Sequence, residues 1–412
     1  MPTTAIDASP PRQDVGAGLA ITLSPLKWAP ATRAALHRVI AAHGVASPGY
    51  DAARAPYAVF DWDNTCIMGD AEETLLRYMV DRFALRMTPA AFSRAIRNRV
   101  PPGPLHGLRR DGAAGPVEFD DLAADLDDDY AELAGCYGIP APPESWARLG
   151  NDPAFLSFRA KLLATYDAIN DTYGETLGYR WIVWLFAGHT PESLAALAHA
   201  SNAWHLGAAI AEVGMETPAS RPGRAGLVRH TAFQCLRLTP EMADLHRVLM
   251  ANGIEVHVCS ASIEELIAAF ATDRAYGYGL PRENIIGVRT AMVEGAYSIE
   301  DRGDWPLTYA AGKVEALNRT LVARKGFGPL MVFGDSNGDY DMMSAFADTR
   351  LSLFVNRLPG GNAGRLCREA AETIGTEAPR YVLQGRHEAT GEWRPHEETI
   401  VFGDREPRLT GK

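Results

Sequence analysis

The sequence is poor in several things, and each shortage excludes a class of protein. Its 412 residues hold five cysteines, Cys66, Cys136, Cys235, Cys259 and Cys367, with no CxxC pair among them. An odd number of widely spread thiols fits neither a disulfide framework nor a zinc site, and free thiols suit a reducing compartment. No apolar run reaches the roughly 18 residues a membrane span needs. The N-terminal stretch MPTTAIDASPPRQDVGAGLA lacks a basic start followed by an apolar segment and does not read as a signal peptide, so a cytoplasmic location is expected. Positive charge is in deficit, Lys+Arg 40 against Asp+Glu 51, for a formal net charge of -11. That balance argues against a nucleic-acid or membrane surface as partner. It still permits an anionic small molecule, because a bound metal can reverse the local field. No internal repeat is visible.

Apolar residues make up 47% and charged residues 22%, the balance of a globular protein with a sizeable core. At about 150 residues per domain, the length implies two or three domains, or one domain with a large insertion. Residues 1–20 read as a mobile tail. PATRAALHRVIAAHG has helical spacing and ends on Gly44. YAVF then reads as a short buried strand running into Asp61. Over residues 70–235 amphipathic helical stretches dominate, among them AEETLLRYMVDRFAL, FDDLAADLDDDYAELAGC, AFLSFRAKLLATYDAI and PESLAALAHASNAWHLGAAIAEV. Beyond them, helices alternate again with apolar runs: IEVHVCS, NIIGVRT, the segment after VEG, PLMVFGD and LSLFVN. This pattern predicts an α/β fold with a doubly wound, mainly parallel sheet, whose ligands sit at the carboxyl ends of the strands.

Four motifs fall at such ends or at helix starts. In YAVFDWDNT, Asp61 and Asp63 stand two residues apart directly after a strand, with Asn64 and Thr65 behind. One carboxylate there can attack phosphorus and the other can protonate a leaving group; an Asp-rich turn is the structural alternative. IEVHVCSAS places Ser260 and Ala261 where a hydroxyl and backbone N–H groups can hold phosphoryl oxygens, while Ser262 reads equally as a helix N-cap. Lys313 opens a helix, where its charge needs an anionic partner. In LMVFGDSNGDYDMM, Asp335 follows a strand and can ligate a hard cation, and Asp339 can orient the water or the lysine.

Taken together in this order, the motifs resemble those of the haloacid dehalogenase superfamily: Asp61-Trp62-Asp63-Asn64-Thr65 the first, Ser260 the second, Lys313 the third, and Gly334-Asp335-Ser336-Asn337-Gly338-Asp339 the fourth. The resemblance implies a Rossmann-like core over residues 21–69 and 236–412, with a helical C1 cap over 70–235. It also implies one Mg²⁺ held by the Asp61 carboxylate, the Asp63 backbone carbonyl and the Asp335 carboxylate. Oxygen ligands beside a phosphate suit Mg²⁺ over zinc on their own chemistry. The expected reaction is hydrolysis of a small phosphorylated metabolite through an aspartyl-phosphate on Asp61, with Asp63 as acid and base and Lys313 as counter-charge. Thr65 and Asp339 are expected to support them. A phosphotransferase on the same scaffold and a non-catalytic phosphate-binding protein are the alternatives.

Asp70, nine residues after Asp61, stands where the phosphoserine phosphatase branch carries a Glu that meets the substrate's amino group, and Glu72 and Glu73 follow it. Such a patch suits a cationic leaving group; the structural reading is that these acids favour a helix N-terminus. The layout is similar to bacterial phosphorylcholine phosphatases in the helix before DWDNT, these acids, the large cap, SASIEEL and the C-terminal YVLQGRHEATGEWRPHEETI. That likeness implies a phosphocholine-like substrate; phosphoserine or another small phosphomonoester is the alternative. Tyr179, Trp181, Trp184, Phe186 and Trp204 of the cap suit either a quaternary ammonium or core packing. His257 reads as a core histidine, and the acids over 120–129 as a solvated helix face.

Overall fold

The computed structural model describes residues 21–109 and 116–411, so the tail expected over 1–20 lies outside the described residues. Helix α1 (Pro30–His43) starts on a proline, whose fixed φ suits the first turn, and stops before Gly44. Strand β1 (Tyr57–Phe60) is buried throughout. The chain turns at Asp61, forms β2 (Ile67–Met68), then α2 (Ala71–Asp81) and α3 (Pro89–Arg97). A ribbon of β3 (Pro104–Arg109) and β4 (Pro116–Glu118) leads to α4 (Phe119–Tyr137), α5 (Trp146–Leu149), α6 (Pro153–Tyr173), α7 (Glu175–Trp184) and α8 (Pro191–Gly207). A second ribbon, β5 (Ala211–Glu216) with β6 (Arg229–Gln234), precedes β7 (Arg237–Leu238). Because β7 pairs antiparallel with β2, the chain leaves for this insertion and returns from it through one two-stranded stem.

The remainder runs α9 (Pro240–Ala251), β8 (Glu255–Ile263), α10 (Glu264–Ala271), β9 (Ile285–Val288), then β10 (Thr290–Val293) with β11 (Ala296–Asp301). It continues through α11 (Ala311–Leu317), α12 (Ala323–Lys325), β12 (Met331–Gly334), α13 (Tyr340–Ala345), β13 (Leu351–Asn356), α14 (Gly361–Glu372), β14 (Tyr381–His387) and β15 (Glu392–Trp393). Among the described residues, seven strands form one sheet in the order β15-β14-β13-β12-β1-β8-β9. Every pair in it is parallel except β14 with β15. Alternate residues of β1 serve opposite cores: Ala58 and Phe60 join the larger cluster, which runs on into the insertion. Tyr57 and Val59 pack with residues of α11, α13 and α14 on the other face. Helices on both sides explain why YAVF, MVFG and LSLFVN read as unbroken apolar runs. The fold is therefore α/β, with a mainly parallel central sheet and a largely helical insertion after β1.

Several local expectations change. The segment PESLAALAHASNAWHLGAAIAEV is not one helix: α8 ends at Gly207, and Ala211–Glu216 becomes a strand because it pairs with Arg229–Gln234, a cross-strand partner that helical periodicity cannot register. The segment after VEG pairs with β10 as a separate hairpin beside the sheet, turning on Glu294 and Gly295, both at positive φ. The acidic run 120–129 is not wholly solvated. Asp125 and Asp129, four apart and so on one face of α4, are buried. Asp125 accepts a hydrogen bond from Lys161 Nζ of α6 at 2.8 Å, and Asp129 pairs with Arg221. Among the described residues no helix is long and apolar enough to cross a membrane.

Candidate active site

The sheet order brings the chemistry together. Strands β8, β1 and β12 are neighbours, so Ser260, Asp61 and Asp335 lie at one carboxyl edge. After β1 the chain folds back tightly. Asn64 sits at φ 59°, its N–H donates to the Gly69 carbonyl at 3.0 Å, and its side-chain oxygen accepts from the Gly69 N–H at 3.1 Å. Asn tolerates this left-handed conformation better than most residues. The loop so closed holds Asp61 and Asp63 toward a cavity of about 320 Å³.

Lys313 Nζ bridges two carboxylates in that cavity, donating to Asp61 Oδ1 and Asp339 Oδ1 at 2.6 Å each, and the lysine is only 2% exposed. Its helix starts where it must: a Cβ on Gly312 would lie 1.8 Å from the Leu307 carbonyl oxygen, so only glycine fits ahead of the lysine. Thr65 Oγ1 lies 3.1 Å from Asp61 Oδ2 and 3.2 Å from Asp335 Oδ1. Asp339 Oδ2 accepts the backbone N–H groups of Asp335 and Ser336 at 3.0 and 3.2 Å, which ties the β12 turn to its own helix start. Asp63 accepts from the Ala71 N–H at 2.8 Å and from Ser262 Oγ at 2.7 Å.

Ser262 is thus no N-cap. Strand β8 runs on to Ile263, and the Ser262 hydroxyl is turned to Asp63. Ser260 and Ala261 line the cavity, with Ser260 Oγ accepting from the Ser262 N–H at 3.1 Å.

Carboxylate oxygens of Asp61, Asp335 and Asp339 come within 4.8 Å of one another, all buried. Asp63 is not in that trio; its expected contribution is a backbone carbonyl, which a carboxylate cluster does not register. Asp339 is occupied by Lys313 and two N–H groups, whereas Asp61 and Asp335 keep lone pairs for a hard cation. Among the described residues, six carboxyls line the cavity, Asp61, Asp63, Asp70, Glu175, Asp335 and Asp339, against two cations, Lys313 and Arg357. The imbalance is felt by the acids. Burial, and then Asp339, push the Asp61 carboxyl well above the usual range despite Lys313. Burial followed by Asp70 does the same to Asp63. Burial raises Asp335 against the opposing charge of Arg357. A buried, all-oxygen, over-negative site fits a divalent cation.

A second cavity of about 270 Å³ adjoins the first, and Asn64, Asp70 and Arg357 line both. Asp70 caps α2 by accepting from the Glu72 and Glu73 N–H groups at 2.8 and 2.9 Å, so it serves the helix and faces the site at once. Glu73 opens onto the second cavity, where Tyr166 donates to it at 3.1 Å. Desolvation by the surrounding protein, and then Asp70, push its carboxyl up to about 8. Glu72 lies elsewhere, buried and accepting from the Ile263 N–H at 2.9 Å, a tie between α2 and β8. Of the cap aromatics, Tyr179 lines the first cavity, Trp181, Trp184 and Phe186 are core, and Trp204 is exposed beneath the Arg82 guanidinium. His257 is buried in the core as expected.

Sequence reasoning missed Arg357, Tyr166, Tyr309 and Glu175. Tyr309, ahead of α11, donates to Glu175 at the start of α7, and both line the first cavity. Arg357 follows β13 directly, and its place at the end of an apolar run was the available signal.

Comparison with known proteins agrees with this geometry. The family model described as haloacid dehalogenase-like hydrolase matches residues 152–344, a span that includes Ser260, Lys313, Asp335 and Asp339 but not Asp61 or Asp63. A phosphorylcholine phosphatase from Pseudomonas aeruginosa is 25% identical over 340 residues, 74% of this chain and 76% of that protein. The chain is thus similar to haloacid dehalogenase-like hydrolases. Its fold also matches the crystal structure of a conserved, functionally unknown protein from Anaerococcus prevotii, with a TM-score of 0.84 and 29% identity over 92% of this chain and 98% of that one. The chain is a distant homologue of the Pseudomonas enzyme.

Proposed function

We propose that this protein is a Mg²⁺-dependent phosphatase that acts on a small phosphomonoester through an aspartyl-phosphate on Asp61. The observation that carries the reading is the buried Lys313 bridge between Asp61 and Asp339, with Asp335 beside them. Asp61, Asp335 and the Asp63 carbonyl would hold the metal, which when bound screens the repulsion between Asp61 and an anionic phosphoryl group. The Asp61 carboxylate attacks phosphorus, and the ester oxygen leaves with a proton from Asp63. The raised pKa of Asp63 keeps that proton available. Asp63 then takes a proton from water as the water attacks the phospho-Asp61 phosphorus, which releases phosphate and restores both carboxyls. Ser260, Ala261 and Lys313 bind the phosphoryl group, and Thr65 and Asp339 hold the carboxylates and lysine in place.

Residues 70–235 form the cap in this reading, and residues 21–69 and 236–412 the catalytic core. A cationic amine is the favoured leaving group. Asp70 and Glu73 have no cationic hydrogen-bond partner among the described residues, and Tyr166 and Tyr179 lie close to them. The substrate in the Pseudomonas relative's name is of that kind. The cysteines at 66, 136, 235, 259 and 367 are all free, in keeping with a cytoplasmic enzyme.

Asp61→Asn is expected to abolish Mg²⁺-dependent phosphate release from p-nitrophenyl phosphate, and full activity in that variant refutes the mechanism. A screen of phosphocholine, phosphoethanolamine, phosphoserine and sugar phosphates tests the leaving group; no preference for the amines would remove that part alone.

A further inference from the structure

We propose that Arg357 is a substrate-binding residue that grips the non-reacting phosphoryl oxygens where the two cavities meet. This rests on the phosphomonoester reading above. Arg357 follows β13, the sheet neighbour of β12, so it emerges at the same carboxyl edge as Asp335. Its Nη1 donates to Asp335 Oδ2 at 2.7 Å, and Asp335 is its sole hydrogen-bond partner among the described residues. A guanidinium carries five N–H donors in a planar fork. The side chain is 39% exposed and lines both cavities, so the unused donors face the space a substrate would fill.

Lys313, the other cation of the first cavity, already donates to two carboxylates and is nearly inaccessible. That leaves Lys313 one N–H for the phosphoryl group, whereas Arg357 keeps most of its five donors to spare. A fork anchored at one end and open at the other suits a tetrahedral oxyanion better than a point charge does. Its surroundings add a direction. Arg357 shares the junction with Asp70, and Glu73 lies beyond in the second cavity. Anion-binding and cation-binding groups thus follow one another along the path from phosphate site to second cavity. That order matches a phosphate ester whose amine lies a few bonds from the phosphorus.

The test uses the full chain with Mg²⁺ and inorganic orthophosphate as probe, read by calorimetry, alongside a Mg²⁺ titration without phosphate. Arg357→Met is expected to weaken orthophosphate about 10-fold or more, the loss of a charge-assisted hydrogen bond. It should raise KM for p-nitrophenyl phosphate, and Mg²⁺ affinity should stay within about 3-fold of wild type, because Asp335 keeps its place without the guanidinium. Arg357→Lys keeps the charge but not the fork; orthophosphate is expected to weaken by about 3-fold or more, and this variant decides alone if the methionine variant does not fold.

Unchanged orthophosphate affinity in the variants overturns the proposal. So does an equal fall in Mg²⁺ and orthophosphate affinity, which would reduce Arg357 to a holder of Asp335, and so does a wild-type protein that binds no orthophosphate. Arg357-dependent orthophosphate binding without hydrolysis would fail the phosphatase reading only, and hydrolysis with Arg357-independent binding would fail this one only.

Discussion

Replacing Lys313 with Met is the sharpest test of how the site is held together. The lysine is 2% exposed and donates to Asp61 and Asp339 at 2.6 Å. Burial opposes its charge, but Asp339 and Asp61 outweigh burial and raise its pKa, so it stays protonated at neutral pH. Methionine keeps the length and removes the cation, leaving two buried carboxylates facing each other. Removing one partner of a buried ion pair typically destabilises by about 3–5 kcal/mol. The lower end applies, because Thr65 still donates to Asp61 and two backbone N–H groups still donate to Asp339.

With an unfolding entropy of about 2.1 cal/mol/K per residue, 412 residues give roughly 0.9 kcal/mol/K, so a loss of about 3 kcal/mol lowers Tm by roughly 3–4 °C. The measurement is thermal and urea denaturation in EDTA at neutral pH. The deficit should shrink at lower pH, where the orphaned carboxyls take up protons. Adding Asp339→Asn to the methionine variant should recover part of the loss, since a neutral amide no longer opposes Asp61. A loss under about 1 kcal/mol, or one indifferent to Asp339→Asn, refutes the claim that Lys313 is the buried counter-charge.

Three further outcomes are expected. Ser262→Ala removes the 2.7 Å bond that lowers the pKa of Asp63, so the alkaline limb of kcat/KM should move to higher pH while kcat falls roughly tenfold; a limb that moves down contradicts Asp63 as the acid. Glu73→Gln should raise KM for amine-bearing phosphomonoesters by about tenfold and leave p-nitrophenyl phosphate within about twofold, read from paired kinetics. The metal-free protein should lose stability as pH rises above the ordinary carboxylate value of 3.8, because Asp61 and Asp63 have raised folded pKa values and hold protons that the unfolded chain releases. The stabilisation gained from Mg²⁺ should therefore grow with pH over that window, and denaturation series with Mg²⁺ or EDTA would show a flat difference if the reasoning is wrong.

Much of the site was legible because parallel strands buried on both faces read as apolar runs, and the chemistry follows each run at once. YAVF leads into Asp61, MVFG into Asp335 and EVHVC into Ser260. The same rule points at Arg357 after LSLFVN, but a lone arginine carries no motif. Its meaning needs the sheet order, which sets β13 beside β12 and so Arg357 beside Asp335. The ribbon of β5 and β6 was hidden for a different reason. AEVGME is helix-compatible taken alone, and only pairing with RHTAFQ makes it a strand. Ser262 was ambiguous because a hydroxyl two residues before a helix serves as a cap as readily as a donor, and the choice is made by Asp63, which is 199 residues away in sequence.

The acids at the start of α2 show where sequence reasoning stops in principle. Asp70, Glu72 and Glu73 read as one patch, open to either a helix-dipole or a ligand role. A helix turns about 100° per residue, so neighbours cannot share a direction. Asp70, just outside the helix, bends back to cap it and still borders both cavities. Glu72 is carried to β8 and buried against the Ile263 N–H. Glu73, one step on, is swung into the second cavity beside Tyr166. Helix formation and site formation are therefore not rival accounts of this stretch. The cap that starts α2 also sets the phase that sends Glu72 to the sheet and Glu73 to the cavity, so moving the helix start by one residue would exchange a structural acid for a cavity-facing one.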